Sequence, residues 1–236
     1  MTQQSAVRAI LIDLDGTLMD TAPDLAAAAN LMRGDFGLPP LSESRIASYV
    51  GKGADVLIHR ALTDDLDGRV DAAGLDRGRE SFYGHYHATN GRETVVFEGV
   101  SEALELLVAG GWTLACVTNK PREFTVPLLE RWGLARWFSA VVAGDDVKAP
   151  KPDPDLLLAA CGRLGCPPER ALMIGDSVND ALAARAAGMQ VLLVETGYNE
   201  GQSVDTLQGE PGVILIAATL LDAARYILGS SDGLLC

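Results

Sequence analysis

Short apolar runs punctuate this chain, and the spacing between them decides what it can fold into. They cover residues 7–14, 113–118, 140–143, 171–174, 191–194 and 213–216, and each is rich in Val, Ile or Leu. Unbroken apolar character over so few residues suits a strand buried on both faces, as in a parallel sheet. Between the later runs lie helical patterns with glycine stops. Residues 100–109 precede Gly110-Gly111, 124–132 precede Gly133, and 179–187 precede Gly188; glycine adopts the left-handed helix-ending conformation at little cost. Asp153-Pro154 reads as a further helix start, with a capping carboxylate and proline at the first helical position. Strand alternating with helix predicts an α/β fold, a Rossmann-like core with a mostly parallel sheet.

One region breaks the alternation. From about residue 20 to 91 the patterns are helical only, at 22–36, 54–62 and 76–89, with a polar loop over 62–74. The chain therefore makes one strand, leaves on a helical excursion, and returns to build the rest of the sheet. The expected organisation is a Rossmann-like core of residues 1–19 and 92–236, with a helical cap domain of residues 20–91 inserted after the first strand.

Bulk properties narrow the partners. The 236 residues are 48% hydrophobic, enough for a sizeable core, and 22% charged, as in ordinary globular proteins. With 19 basic against 32 acidic residues, a net charge of −13, the chain lacks the basic stripe that nucleic-acid binding needs. An anionic small molecule is still admissible, because salt screens the global field within about 10 Å and the local charge decides. Such a site must carry its own cations. Cys116, Cys161, Cys166 and Cys236 show no CxxC spacing, so free thiols in a reducing compartment are expected. The first apolar run is too short for a secretion signal or a membrane span. These features predict a cytoplasmic protein, monomer or homodimer, without membrane or nucleic-acid partners.

Ligands of open parallel sheets bind beyond the carboxyl ends of the strands. Residues at those ends are Asp13-Leu14-Asp15-Gly16-Thr17, then Thr118-Asn119-Lys120, then Gly144-Asp145-Asp146 with Lys148 and Lys151-Pro152, and finally Gly175-Asp176-Ser177-Val178-Asn179-Asp180. Carboxylates converging on one edge repel one another unless a hard cation compensates them. An oxygen-rich set with no nearby thiol or imidazole suits Mg²⁺ better than zinc or copper.

The elements Asp13–Thr17, Thr118-Asn119, Lys151-Pro152 and Gly175–Asp180 resemble, in order and spacing, the four motifs of the haloacid dehalogenase-like superfamily. That resemblance implies a Mg²⁺-dependent phosphatase. Asp13 would be the nucleophile, forming an aspartyl-phosphate, and Asp15 the general acid and base. Thr118 and the backbone around Gly16 and Thr17 would hold phosphate oxygens, with Asn119 beside them. Lys151, preferred to Lys148 for its proline neighbour, would neutralise phosphate and nucleophile. The metal would be held by Asp13, the carbonyl of Asp15 and Asp176, with Asp180 a ligand or close by. Dehalogenase members lack the second carboxylate, so Asp15 favours phosphoryl transfer.

For the substrate, Tyr49-Val50-Gly51-Lys52-Gly53-Ala54 is similar to the cap loop of bacterial phosphoglycolate phosphatases, and Asp20–Leu25 and Gly197–Gly201 are similar to further stretches of them. Gly51 and Gly53 would allow close backbone approach, and Lys52 would add a charge for the carboxylate of 2-phosphoglycolate. Sister enzymes share these motifs, so a sugar phosphate such as N-acetylmuramic acid 6-phosphate is the alternative, then a phosphosugar mutase, and last a non-catalytic interaction protein. His59, His85 and His87 lie in the expected cap and read as surface or packing residues; Trp112, Trp132 and Trp137 read as packing.

Overall fold

A four-residue strand, β1 (Ala9–Ile12), sits at the middle of the molecule with every residue buried. The computed structural model describes residues 8–230, so Val7 and Cys236 lie outside the described residues. After β1 the chain makes a two-residue strand, β2 (Met19–Asp20), and then four helices: α1 (Ala22–Asp35), α2 (Glu43–Ala47), α3 (Ala54–Thr63) and α4 (Ala72–Thr89). The return begins with β3 (Val95–Val96) and continues through α5 (Val100–Ala109), β4 (Thr113–Val117), α6 (Arg122–Arg131), β5 (Ala140–Val142) and α7 (Asp155–Leu164). It closes with β6 (Ala171–Gly175), α8 (Val178–Ala187), β7 (Gln190–Val194), β8 (Val213–Ala217) and α9 (Leu220–Gly229).

Six strands form one parallel sheet in the order β5-β4-β1-β6-β7-β8. This is the expected α/β fold. Chain progression runs outwards from β1 through β4 to β5, then jumps back to β6 on the other side. The reversal opens a crevice at the carboxyl end of β1. Side-chain alternation assigns the two layers of core. Ile10 and Ile12 face α5 and α9, packing with Leu104, Leu107 and Ile227. Ala9 and Leu11 face α7 and α8, packing with Leu156, Ala160 and Ala184.

Helices α1 to α4 have a core of their own, with Met32, Tyr49, Ile58, Phe82 and Tyr86 at its centre. One residue of α6 joins them. Phe124 lies 4.6 Å from Tyr86 and 5.2 Å from Tyr83, ring centre to ring centre, docking the helical unit onto the sheet unit. The two crossings between the units pair with each other, because β2 and β3 make an antiparallel ribbon.

Local details depart from expectation in two places. Pro154 is the N-cap of α7 rather than its first helical residue, and no side chain caps that helix. Trp132 is 40% exposed; α6 ends at Arg131 and the turn into Gly133 carries the indole off the apolar face. Trp112 is buried. Cys116, Cys161 and Cys166 are buried. Each histidine is engaged locally: His59 accepts from the Val70 amide, His85 pairs with Asp35, and His87 with Glu123. Among the described residues no helix is long and apolar enough to cross a membrane.

Candidate active site

β1 ends at Ile12, and its continuation is anchored by the neighbouring strand: the Asp13 amide donates to the Ile174 carbonyl at 3.0 Å. Asp13 Oδ1 accepts from the Leu14 amide at 2.7 Å, and Oδ2 lies 2.9 Å from Lys151 Nζ. Lys151 is buried. Its ammonium also reaches Asp180 Oδ1 at 2.7 Å and donates to the Val117 carbonyl at 3.2 Å. Lys148, by contrast, is exposed. Burial pushes the Asp13 carboxyl up to about 7, against the pull of Lys151 and with the help of Asp180.

Asp176 stands one residue past β6 and takes Thr17 Oγ1 at 3.0 Å on one oxygen and the Tyr198 amide at 3.0 Å on the other. Two backbones crowd it. A Cβ on Gly16, whose φ is +86°, would come within 2.6 Å of Asp176 Oδ2, and one on Gly197 would overlap the Asp176 side chain outright. Only glycine permits this approach. Burial, then the charges of Asp180 and Asp13, hold the Asp176 carboxyl well above the usual range. Asp180 caps α8: its Oδ2 accepts from the amides of Asp176 and Ser177 and from Ser177 Oγ, at 3.2, 3.1 and 2.7 Å.

Asp13, Asp176 and Asp180 each offer an oxygen within 4.8 Å of the others. One lysine among three buried carboxylates leaves the group short of positive charge, and all the donors are hard oxygens. A hard divalent cation fits this donor set. Asp13 and Asp176 keep the most free lone pairs, whereas Asp180 is already committed to Lys151 and to its own helix cap.

Asp15 turns to a different partner set. Its Oδ1 accepts from Thr21 Oγ1 at 2.6 Å and from Lys120 Nζ at 2.8 Å. Burial works against the charge on Lys120, but Asp15 and Tyr86 together outweigh it and raise the ammonium above the ordinary lysine range. Each aspartate of the Asp13–Asp15 pair thus has its own buried lysine.

Asp13, Asp15, Thr118, Asn119, Lys120, Asp176, Gly51 and Gly53 line one cavity between the sheet edge and the helical unit. Its far wall is Leu25, Val50, Leu57, Phe82 and Tyr86. Asn119 fixes two loops at once, donating to the carbonyls of Gly51 at 2.8 Å and Lys151 at 2.7 Å and accepting from the Lys151 amide. Gly16, Thr17, Lys52, Lys151 and Asp180 do not line the cavity. Gly16 and Thr17 shape Asp176, and Lys151 lies behind Asp13. Lys52 turns to Glu200 at 2.9 Å, which it shares with Arg60 at 2.6 Å.

Over residues 10–194 the sequence matches the model of the haloacid dehalogenase-like hydrolases. The chain belongs to this family. Its relatives include the phosphoglycolate phosphatase of Nitrosospira multiformis, 47% identical over 95% of this chain and 97% of that one. The enzyme of that name from Escherichia coli K12 is 39% identical over 91% and 90%. Among solved structures, that of a predicted phosphoglycolate phosphatase from Haemophilus somnus superposes with a TM-score of 0.83 at 32% identity, covering 93% of this chain and 97% of that one. Family and relatives together make the chain a phosphoric monoester hydrolase.

Against this family background, sequence reasoning passed over Lys120 and Tyr198. Lys120 was visible as the third residue of the Thr118–Lys120 strand end, but its partner is 105 residues away. The Tyr198 hydroxyl accepts from the amides of Thr21 and Ala22, at 2.8 and 3.0 Å, and donates to Asp20 at 2.7 Å. It thereby ties the loop that binds Asp176 to the start of α1.

Proposed function

We propose that this chain hydrolyses 2-phosphoglycolate to glycolate and phosphate through an aspartyl-phosphate on Asp13, with Mg²⁺ as cofactor, in the cytoplasm. The observation that carries this reading is the placement of Asp13 and Asp15 on one cavity wall, each with a separate lysine. The names of relatives that cover more than nine-tenths of the chain support the substrate.

In this reading the Asp13 carboxylate attacks phosphorus, the ester P–O bond breaks, and Asp15 gives its proton to the departing glycolate oxygen. Water then attacks phosphorus, Asp15 takes the water proton, and the Asp13–phosphorus bond breaks to release phosphate. Lys151 balances the nucleophile and Thr118 sits where a phosphate oxygen would be held. Asp13, Asp176 and the Asp15 carbonyl would hold Mg²⁺, with Asp180 bracing Lys151 behind them. A bound Mg²⁺ supplies charge stabilisation for the transferring phosphoryl group. Residues 20–91 act as a cap on a core of 1–19 and 92–236; the cap closes off water while phosphorus is transferred. A phosphate-release screen tests the reading: 2-phosphoglycolate should give the highest kcat/KM in a panel with sugar phosphates, N-acetylmuramic acid 6-phosphate included. A sugar phosphate at the top of that panel would replace the substrate assignment.

A further inference from the structure

A carboxylate-bearing phosphate ester brings two anionic groups into this cavity, and the site described so far answers only one of them. Lys151 lies behind Asp13, and Lys52, whose charge the cap loop was expected to offer, is held by Glu200. Among the described residues that line the cavity, one carries a positive charge: Lys120. Its side chain is 2% exposed and its ammonium sits 5.0 Å from the centre of the Tyr86 ring. The Tyr86 hydroxyl is buried beside that ammonium, and no acceptor for its own proton is found among the described residues. The ammonium on the sheet edge and the hydroxyl on the otherwise apolar far wall therefore meet at one corner of the cavity. A carboxylate left without partners there would be strongly disfavoured.

Position matters as much as charge. Lys120 Nζ is 2.8 Å from Asp15, the group placed against the ester oxygen that leaves. In a two-carbon phospho acid the carboxylate is one methylene from that oxygen, so its own oxygens lie roughly 3 Å away from it, given ordinary bond lengths. A cation beside Asp15 is thus beside the substrate's carboxylate too. We propose that Lys120, with the Tyr86 hydroxyl as second donor, is the specificity-determining residue that receives the substrate's carboxylate. This inference rests on the phosphoglycolate reading above. It moves the recognition of the second charge from the cap loop to the core.

The test is a ratio, since Lys120 also touches Asp15 and its loss lowers turnover of every ester. We compare kcat/KM for 2-phosphoglycolate with kcat/KM for its neutral counterpart, 2-hydroxyethyl phosphate, in the Mg²⁺-loaded enzyme. Wild type should favour the acid. In Lys120→Met that preference should fall about 30-fold or more, as when one partner of a buried ion pair is removed. Lys120→Arg should retain most of it, and Tyr86→Phe should lose a smaller part. Should Lys120→Met fail to fold by circular dichroism, Lys120→Gln, which still offers Asp15 a donor, is read in the same way. An unchanged ratio in these Lys120 variants, with a wild type that favours the acid, overturns the role of Lys120 alone. A wild type indifferent to the carboxylate overturns the phosphoglycolate reading, and this inference with it.

Discussion

Asp24 holds Thr94 by two hydrogen bonds, from the backbone amide at 3.1 Å and from Oγ1 at 2.5 Å, across 70 residues of sequence. The same carboxylate accepts from the amides of Gly91 at 2.7 Å and Glu93 at 2.9 Å. Asp24 is buried in the first turn of α1, so the chain's exit to the helical unit and its return are fastened at one point.

Replacing that carboxylate should therefore cost more than an ordinary surface change. Asp24→Asn keeps the shape but turns one acceptor into a donor facing amides. We expect a loss of about 2–4 kcal/mol, since buried donors are left without partners. A thermal or urea melt measures it. A loss under about 0.5 kcal/mol, the usual range for surface substitutions, would mean the fastening is not structural.

Asp13 and Asp15 differ in what their loss should do. Asp13→Asn should reduce turnover of any ester by about 10³-fold or more, with the fold intact by circular dichroism. Asp15→Asn should slow glycolate release by about 10²-fold or more, and 4-nitrophenolate release far less, because nitrophenolate leaves without a proton. Equal losses for the two leaving groups would argue against an acid role for Asp15.

The proposed cation requirement has two independent readouts. Chelation should silence the enzyme and Mg²⁺ should restore it; restoration by zinc alone would overturn the assignment. Mg²⁺ should also raise the melting temperature, since a ligand that binds only the folded chain stabilises it by mass action. Asp176→Asn should abolish that rise, whereas Asp15→Asn should leave much of it.

Acid stability has a contributor outside the cavity lining. The side-chain hydrogen bond from Arg122, with Nε at 2.8 Å, outweighs burial and holds the Asp146 carboxyl down at about 2 against an ordinary 3.8. A depressed carboxyl stabilises the fold above its unfolded value and loses that contribution as pH falls through the folded one. The window is therefore about pH 4 down to about pH 2. Asp146→Asn should flatten the stability curve across that window and leave its shape near neutral pH unchanged; an unaltered acid limb would show that the ion pair contributes nothing.

Legibility followed locality. α5 occupies the expected 100–109, because its apolar face and its Gly110-Gly111 stop are both written within a dozen residues. α4 starts at Ala72, earlier than expected, because Asp71 accepts from the Gly74 amide and caps a turn whose composition reads as loop. The β2–β3 ribbon left no trace in the sequence; two-residue strands have no period, and their pairing is decided by where the helical excursion returns. In the site, Asp13, Asp15, Thr118 and Asp176 follow apolar runs, so a reading of strand ends reaches them. The partnership of Lys120 with Asp15, and of Tyr198 with Asp20, exists only once distant segments meet.

The burial of Lys120 and Lys151 has a kinetic consequence. A chain of net charge −13 repels a polyanion at long range, and added salt relaxes that repulsion within a Debye length of about 8 Å at physiological ionic strength. Side chains only 2% exposed are scarcely screened. Ionic strength thus acts on how often substrate arrives and hardly on how long it stays, so arrival should quicken with salt, the reverse of an enzyme that draws anions to a basic surface.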